Sequence, residues 1–123
     1  MKKELAAKKS NRDRAFSFSA EIWKYQGKGG WYFASVPATL TQKIRKSWIV
    51  CEEGWGRLPA TAQIGSTTWK TAIWFDGKHS TYLLPIKSDV RKKESIQENQ
   101  EVNIKLYLEK PLDHWGTTAP RKA

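Results

Sequence analysis

The segment from Leu58 to Phe75 constrains the fold more than any other part of the chain. Leu58, Ala60, Ala62 and Ile64 recur at every second position, Gly65-Ser66 supplies a two-residue turn with glycine first, and Thr67 to Phe75 is rich in residues that strands favour. Two antiparallel strands joined this way have one register. It sets Ala62 opposite Trp69, Ala60 opposite Thr71 and Leu58 opposite Ile73, so small alanines leave room beside a large indole on the core face. On the other face Arg57 comes across from Trp74, within cation–π reach. Asp76-Gly77 is also a favoured two-residue turn, and it predicts a third strand, Lys78 to Leu84, with Leu84 beside Trp69. Trp69 and Leu84 are therefore expected in one core.

The flanking sequence extends this pattern. Phe16, Phe18, Ala20 and Ile22 alternate with polar residues as a strand, Gln26 to Gly30 tolerates positive φ, and Trp31 to Val36 is the return strand of a hairpin. Pro37 ends that strand, and Ala38 to Lys46 predicts an amphipathic helix of one or two turns. Trp48-Ile-Val-Cys51 reads as a short strand and Glu52 to Gly56 as a glycine loop. Pro85 closes the third meander strand, after which Ile86 to Lys93 predicts a second short helix with Ser88 as its cap and Asp89 in its first turn. Glu98-Asn-Gln100 is a turn. Val102, Ile104, Leu106 and Leu108 alternate with polar residues, which places Ile104 in the core. Two strand–proline–helix units suggest an internal duplication, although their residues align poorly.

Totals set the boundaries. A chain of 123 residues suits one domain, expected over residues 15–110 between a basic tail, 1–14, and a C-terminal tail, 111–123. No segment has the length of apolar sequence that a membrane span needs, and residues 1–10 lack the apolar centre of a signal peptide, so a cytoplasmic protein with no membrane partner is expected. The single cysteine, Cys51, excludes an internal disulfide and a cysteine metal cluster. The net charge of +10 is unevenly spread. Residues 1–14 carry six Lys or Arg against Glu4 and Asp13, and the C-terminal tail carries Arg121 and Lys122 against Asp113, so half of the excess lies outside the expected domain.

The runs Trp31-Tyr-Phe-Ala-Ser-Val-Pro37, Gly54-Trp-Gly-Arg57, Ile64-Gly-Ser-Thr-Thr-Trp-Lys-Thr71 and Leu83-Leu-Pro-Ile-Lys-Ser-Asp-Val-Arg-Lys92 resemble the domain-of-unknown-function family numbered nineteen-oh-five. The resemblance covers roughly Phe16 to Glu109. It implies a mainly β, small α+β fold: a double-split β-barrel of about six strands with two short helices, an architecture also used by DNA-binding transition-state regulators and antitoxins. It implies no activity. One departure is Glu98-Asn-Gln100, where the family has a Gly-Asp turn; Asn99 can take the left-handed conformation that such a turn needs.

No catalytic set, metal-ligand spacing or phosphate loop is legible. His79 and His114 are the available imidazoles and sit in no motif, and Gly27-Lys-Gly-Gly30 lacks the Lys-Ser/Thr and helix of a P-loop. No cofactor is expected. Two constellations remain. Lys87, Arg91 and Lys92, which match the family motif, could grip an anion beside the start of the second helix, with a solvated helix face as the alternative. Trp23, Trp55 and Trp74 are the expected aromatic surface, because Trp23 breaks the inward alternation, Trp55 lies in the glycine loop and Trp74 faces outward. The leading expectation is a non-enzymatic binding module for an anionic ligand, nucleic acid included, aided by the basic tail. The alternatives are a small-molecule binder or enzyme with a pocket lined by Trp23, Trp55 and Trp69, and a structural domain that forms a homodimer.

Overall fold

In the computed structural model the described residues are 14–49, 52 and 54–109. Six strands form a closed antiparallel barrel in the order β1-β2-β5-β4-β3-β6. They are β1 (Ala15–Lys24), β2 (Tyr32–Ser35), β3 (Arg57–Ile64), β4 (Thr67–Asp76), β5 (Thr81–Pro85) and β6 (Glu101–Leu108), with helices α1 (Ala38–Trp48) and α2 (Ser88–Lys93). Alternation builds the inside. Every second residue of β3 and β6 is buried, and Ile22, Ala34, Ala62, Ile73, Leu84 and Leu106 are fully enclosed with Ile104 and Trp69 in the same core.

The β3–β4 register is the expected one, with Ala62 opposite Trp69 and Arg57 opposite Trp74, its guanidinium 5.6 Å from the indole centroid. The β4–β5 register is not. Trp74 meets Leu83 and Asp76 meets Thr81, a four-residue slip from the Asp76-Gly77 turn. Asp76 takes no part in a tight turn because its carboxylate accepts the Lys78 N–H at 3.1 Å and lies 2.7 Å from His79 Nδ1, so the loop runs through Ser80 at φ +52. An even slip preserves the face, and Leu84 stays in the core without lying beside Trp69.

Helix α1 is longer than expected. It has 11 residues, of which Thr41, Ile44 and Trp48 form one buried stripe, so Trp48 belongs to the helix and no strand starts there. Burial of that stripe overrides the strand preference of Trp-Ile-Val; Val50 and Cys51 lie outside the described residues. Trp31 precedes β2 and is not part of it. Pro85 is the last residue of β5, opposite Phe33, and one further bond, from the Ile86 N–H to Tyr32 C=O at 2.8 Å, follows it. Lys87, not Ser88, occupies the α2 N-cap, and no side chain caps either helix. Asn99 has φ +70 as the last turn requires.

The topology repeats a ββαβ unit. β1-β2-α1-β3 and β4-β5-α2-β6 have the same internal pairing, and β2 meets β5 through equivalent bonds, Val36 N–H to Tyr82 C=O at 2.9 Å and Ile86 N–H to Tyr32 C=O at 2.8 Å. Aligned on the N-caps Pro37 and Lys87 and on the hairpin registers, Tyr32 corresponds to Tyr82, Thr41 to Arg91, Trp23 to Trp74 and Phe18 to Trp69. The poor residue match between the units hides a repeated backbone.

Candidate binding site

Two adjoining hollows collect the side chains of interest. The first, of about 490 Å³, lies between the β1–β2 loop and α2 and is lined by Trp31, Tyr32, Trp69, Lys87, Ser88 and Arg91 among others. Local structure fixes the two cations. Lys87 precedes the helix, and its carbonyl accepts the Arg91 N–H at 3.0 Å, so the residues stand one turn apart on one side. The Arg91 guanidinium lies 3.8 Å from the centroid of Tyr32, and its Nε donates to Ile86 C=O at 3.1 Å. A stacked guanidinium held through Nε keeps its terminal nitrogens aligned for a bidentate acceptor. Among the described residues no carboxylate forms an ion pair with Lys87 or Arg91. Trp69 is nine-tenths buried, and its Nε1–H has no partner among the described residues. Such a donor is costly to leave unsatisfied.

Lys92, the third expected anion ligand, is exposed on α2 and does not line this hollow; one residue along a helix turns about 100° away from Arg91. α2 has only six residues, so side chains and not its N-terminus make the site. The basic tail expected to assist falls outside the described residues.

The second hollow, of about 910 Å³, is a groove on the outer face of β1, β2, β5 and β4. Period-two geometry builds it. Trp23 lies opposite Phe33 and Phe33 opposite Pro85; in the next row Leu83 lies opposite both Ser35 and Trp74. Phe33 is the hub of an aromatic cluster, with Trp23 at 5.1 Å, Tyr25 edge-on at 6.4 Å and Trp31 stacked at 6.0 Å and 7° between planes. Trp23 is anchored by its Nε1–H to Ser35 Oγ bond of 2.9 Å. Trp31 is 52% exposed, Tyr25 46% and Trp74 37%. The glycines seat these rings: a Cβ on Gly27 would fall 2.3 Å from the Tyr25 ring, and one on Gly29, which has φ +104, 2.7 Å from the Trp31 indole. Lys24, Lys78, Asp76 and His79 form the rim, where the His79 hydrogen bond holds the Asp76 carboxyl below its ordinary value.

The expected aromatic residues are thus distributed. Trp23 and Trp74 share the groove; Trp69 lines the cationic hollow; the Trp55 side chain lies outside the described residues, although Gly54–Gly56 forms a 3-10 turn. Trp31, Tyr25 and Tyr32 belong to the aromatic-rich sequence around the first hairpin but were not among the three expected surface residues, and Phe33 was not singled out; the alternation of Trp31 with Phe33 beside a glycine run is the signal for it. Trp31 and Pro85 line both hollows, which therefore adjoin. No group of three or more His, Cys, Asp or Glu residues that could hold a metal occurs among the described residues.

The model of a protein family described as Domain of unknown function (DUF1905) matches residues 18–106, most of the chain. This chain belongs to the DUF1905 family. The matched DUF1905 segment runs from Phe18 in β1 to Leu106 in β6, and so contains both hollows and all six strands at least in part. No curated protein matches the sequence. Among the described residues of this DUF1905 domain, no helix is long and apolar enough to cross a membrane.

Proposed function

We propose that this domain is a non-enzymatic binding module that takes an anionic ligand in the hollow between α2 and the β1–β2 loop. The observation that carries the reading is concavity: Lys87 and Arg91 line a cavity walled by indoles, where a solvated helix face would stand clear of one. Trp69 and Trp31 supply the indole surface of that wall.

The direct test is calorimetric titration with inorganic pyrophosphate at low and at physiological salt. Binding should weaken as salt rises. Lys87→Ala, at an exposed position that no described fold contact uses, should weaken it by roughly tenfold or more, the scale of a hydrogen bond to a charged group. Absence of binding at low salt, or binding indifferent to Lys87→Ala, would remove the proposal. Among the described residues every strand is paired on both sides, so a homodimer, the other reading, would form through faces of the barrel and not through a free strand edge.

A further inference from the structure

We infer that the ligand is a nucleotide unit, whose phosphate sits at Lys87 and Arg91 and whose base stacks on the Trp31 side of the aromatic groove. The inference rests on the anion reading above and adds the second half of the ligand.

Three observations carry it. The hollows adjoin at Trp31 and Pro85, which line both, so a molecule held at Lys87 has the groove as its neighbour. The groove presents flat rings. Trp31 is half exposed and already lies parallel to Phe33, a geometry suited to receiving a further planar ring on its open side. Finally, the surroundings are cationic. Lys24 and Lys78 rim the groove and Lys87 and Arg91 the adjoining hollow, while the carboxylate among the residues lining them, Asp76, is held by His79.

These features select among ligands. A phosphorylated sugar would use the cations and leave Trp31 and Phe33 idle; an apolar peptide would cover the rings and leave two cations unmatched. A nucleotide joins a flat, polar-edged ring to a phosphate by one sugar, and Gln26 and His79 at the groove rim offer hydrogen bonds to a base edge. The nucleotide could be free or one unit of a single strand, since both present the same chemistry.

The test compares adenosine 5′-monophosphate, an oligodeoxyadenylate, ribose 5-phosphate and pyrophosphate in titrations followed by tryptophan fluorescence and calorimetry. Stacking of one base predicts that the adenine ligands bind roughly tenfold tighter than ribose 5-phosphate. Trp31→Ala should erase that preference, read as the ratio of adenosine 5′-monophosphate to ribose 5-phosphate affinity on the same variant, and Trp31→Phe should retain most of it. A preference shown by the monophosphate identifies a free nucleotide; one shown only by the oligomer identifies a strand. Equal affinity for ribose 5-phosphate and the adenine ligands, or a preference that survives Trp31→Ala, overturns the inference while leaving the anion site standing. Failure of pyrophosphate and every other ligand to bind removes both. Sedimentation of the variants checks that a dimer has not covered the groove; a dimer closing over Trp31 would also overturn the inference.

Discussion

The two helix–tyrosine junctions of the barrel use one backbone plan to opposite ends. Where α1 meets β5, Thr41 is buried, donates to Val36 C=O at 3.2 Å and accepts the Tyr82 N–H; Tyr82 is fully enclosed and its hydroxyl donates to Glu52, which also pairs with Arg45 at 3.0 Å. Where α2 meets β2, Arg91 takes the place of Thr41 and reaches the equivalent carbonyl, Ile86 C=O, while Lys87 takes the place of Pro37 and Tyr32 is only partly buried. The first junction is closed by Thr41 and by charges that pair with each other, Arg45 and Glu52. The second is held open by two cations. Core volume follows the same division: Trp69 lies opposite Ala62, whereas its counterpart Phe18 lies opposite Ile104, so the larger ring faces the smaller partner. The exchange puts an indole beside the open junction. Repeating a backbone unit thus left one junction filled and the other hollow.

The sharpest way to break this comparison is to truncate both tyrosines. Tyr82→Ala should destabilise by about 3–5 kcal/mol, since it empties an enclosed ring site and strands the Glu52–Arg45 pair. Tyr32→Ala should cost roughly half as much and weaken pyrophosphate binding by freeing Arg91; urea unfolding measures both, and equal losses would show that the junctions are alike. A smaller contrast is available in the hairpin loops. Gly29→Ala meets the Trp31 ring at positive φ and should cost about 1–3 kcal/mol with a shift in indole emission, while Gly77→Ala, which meets only ordinary contact with Phe75, should be nearly neutral.

The smallest effect is one of pH. Asp76 has its pKa lowered in the folded state, so the stability it contributes is fully present above its ordinary value of 3.8 and is lost as pH falls through the lower folded value. Asp76→Asn should therefore destabilise near neutrality and cease to matter in strong acid. At the other extreme, burial and then the Glu52 hydrogen bond raise the Tyr82 phenol, so its contribution is intact below 10.0 and falls as pH rises beyond it. Tyr82→Phe should flatten that alkaline loss.

Legibility in the sequence tracked how locally each feature is determined. The β3–β4 register was readable because Gly65-Ser66 leaves no choice, whereas Asp76-Gly77 offered the same signal and a side-chain hydrogen bond to His79 redirected it. Lys87 and Arg91 could be paired from helical spacing alone, but their hollow is made with Trp31, Tyr32 and Trp69, which are brought together by barrel closure. Lys92 looked equivalent in the sequence and is separated from them by one helical step. The length of α1 was hidden because Trp48 reads as strand until Thr41 and Ile44 show it a buried stripe to continue.

Closure of the barrel has a kinetic consequence. β1 seals against β6, with Ala15 opposite Tyr107, so the first strand to emerge during synthesis waits for the last. Contacts so distant in sequence slow folding relative to local ones, and until they form the two strands lack the neighbours that protect their backbone groups. Each repeated unit begins with a local hairpin, yet the shared core is enclosed only when the barrel's first and last strands have met; loss of a few residues from either of those strands should be felt at both junctions together.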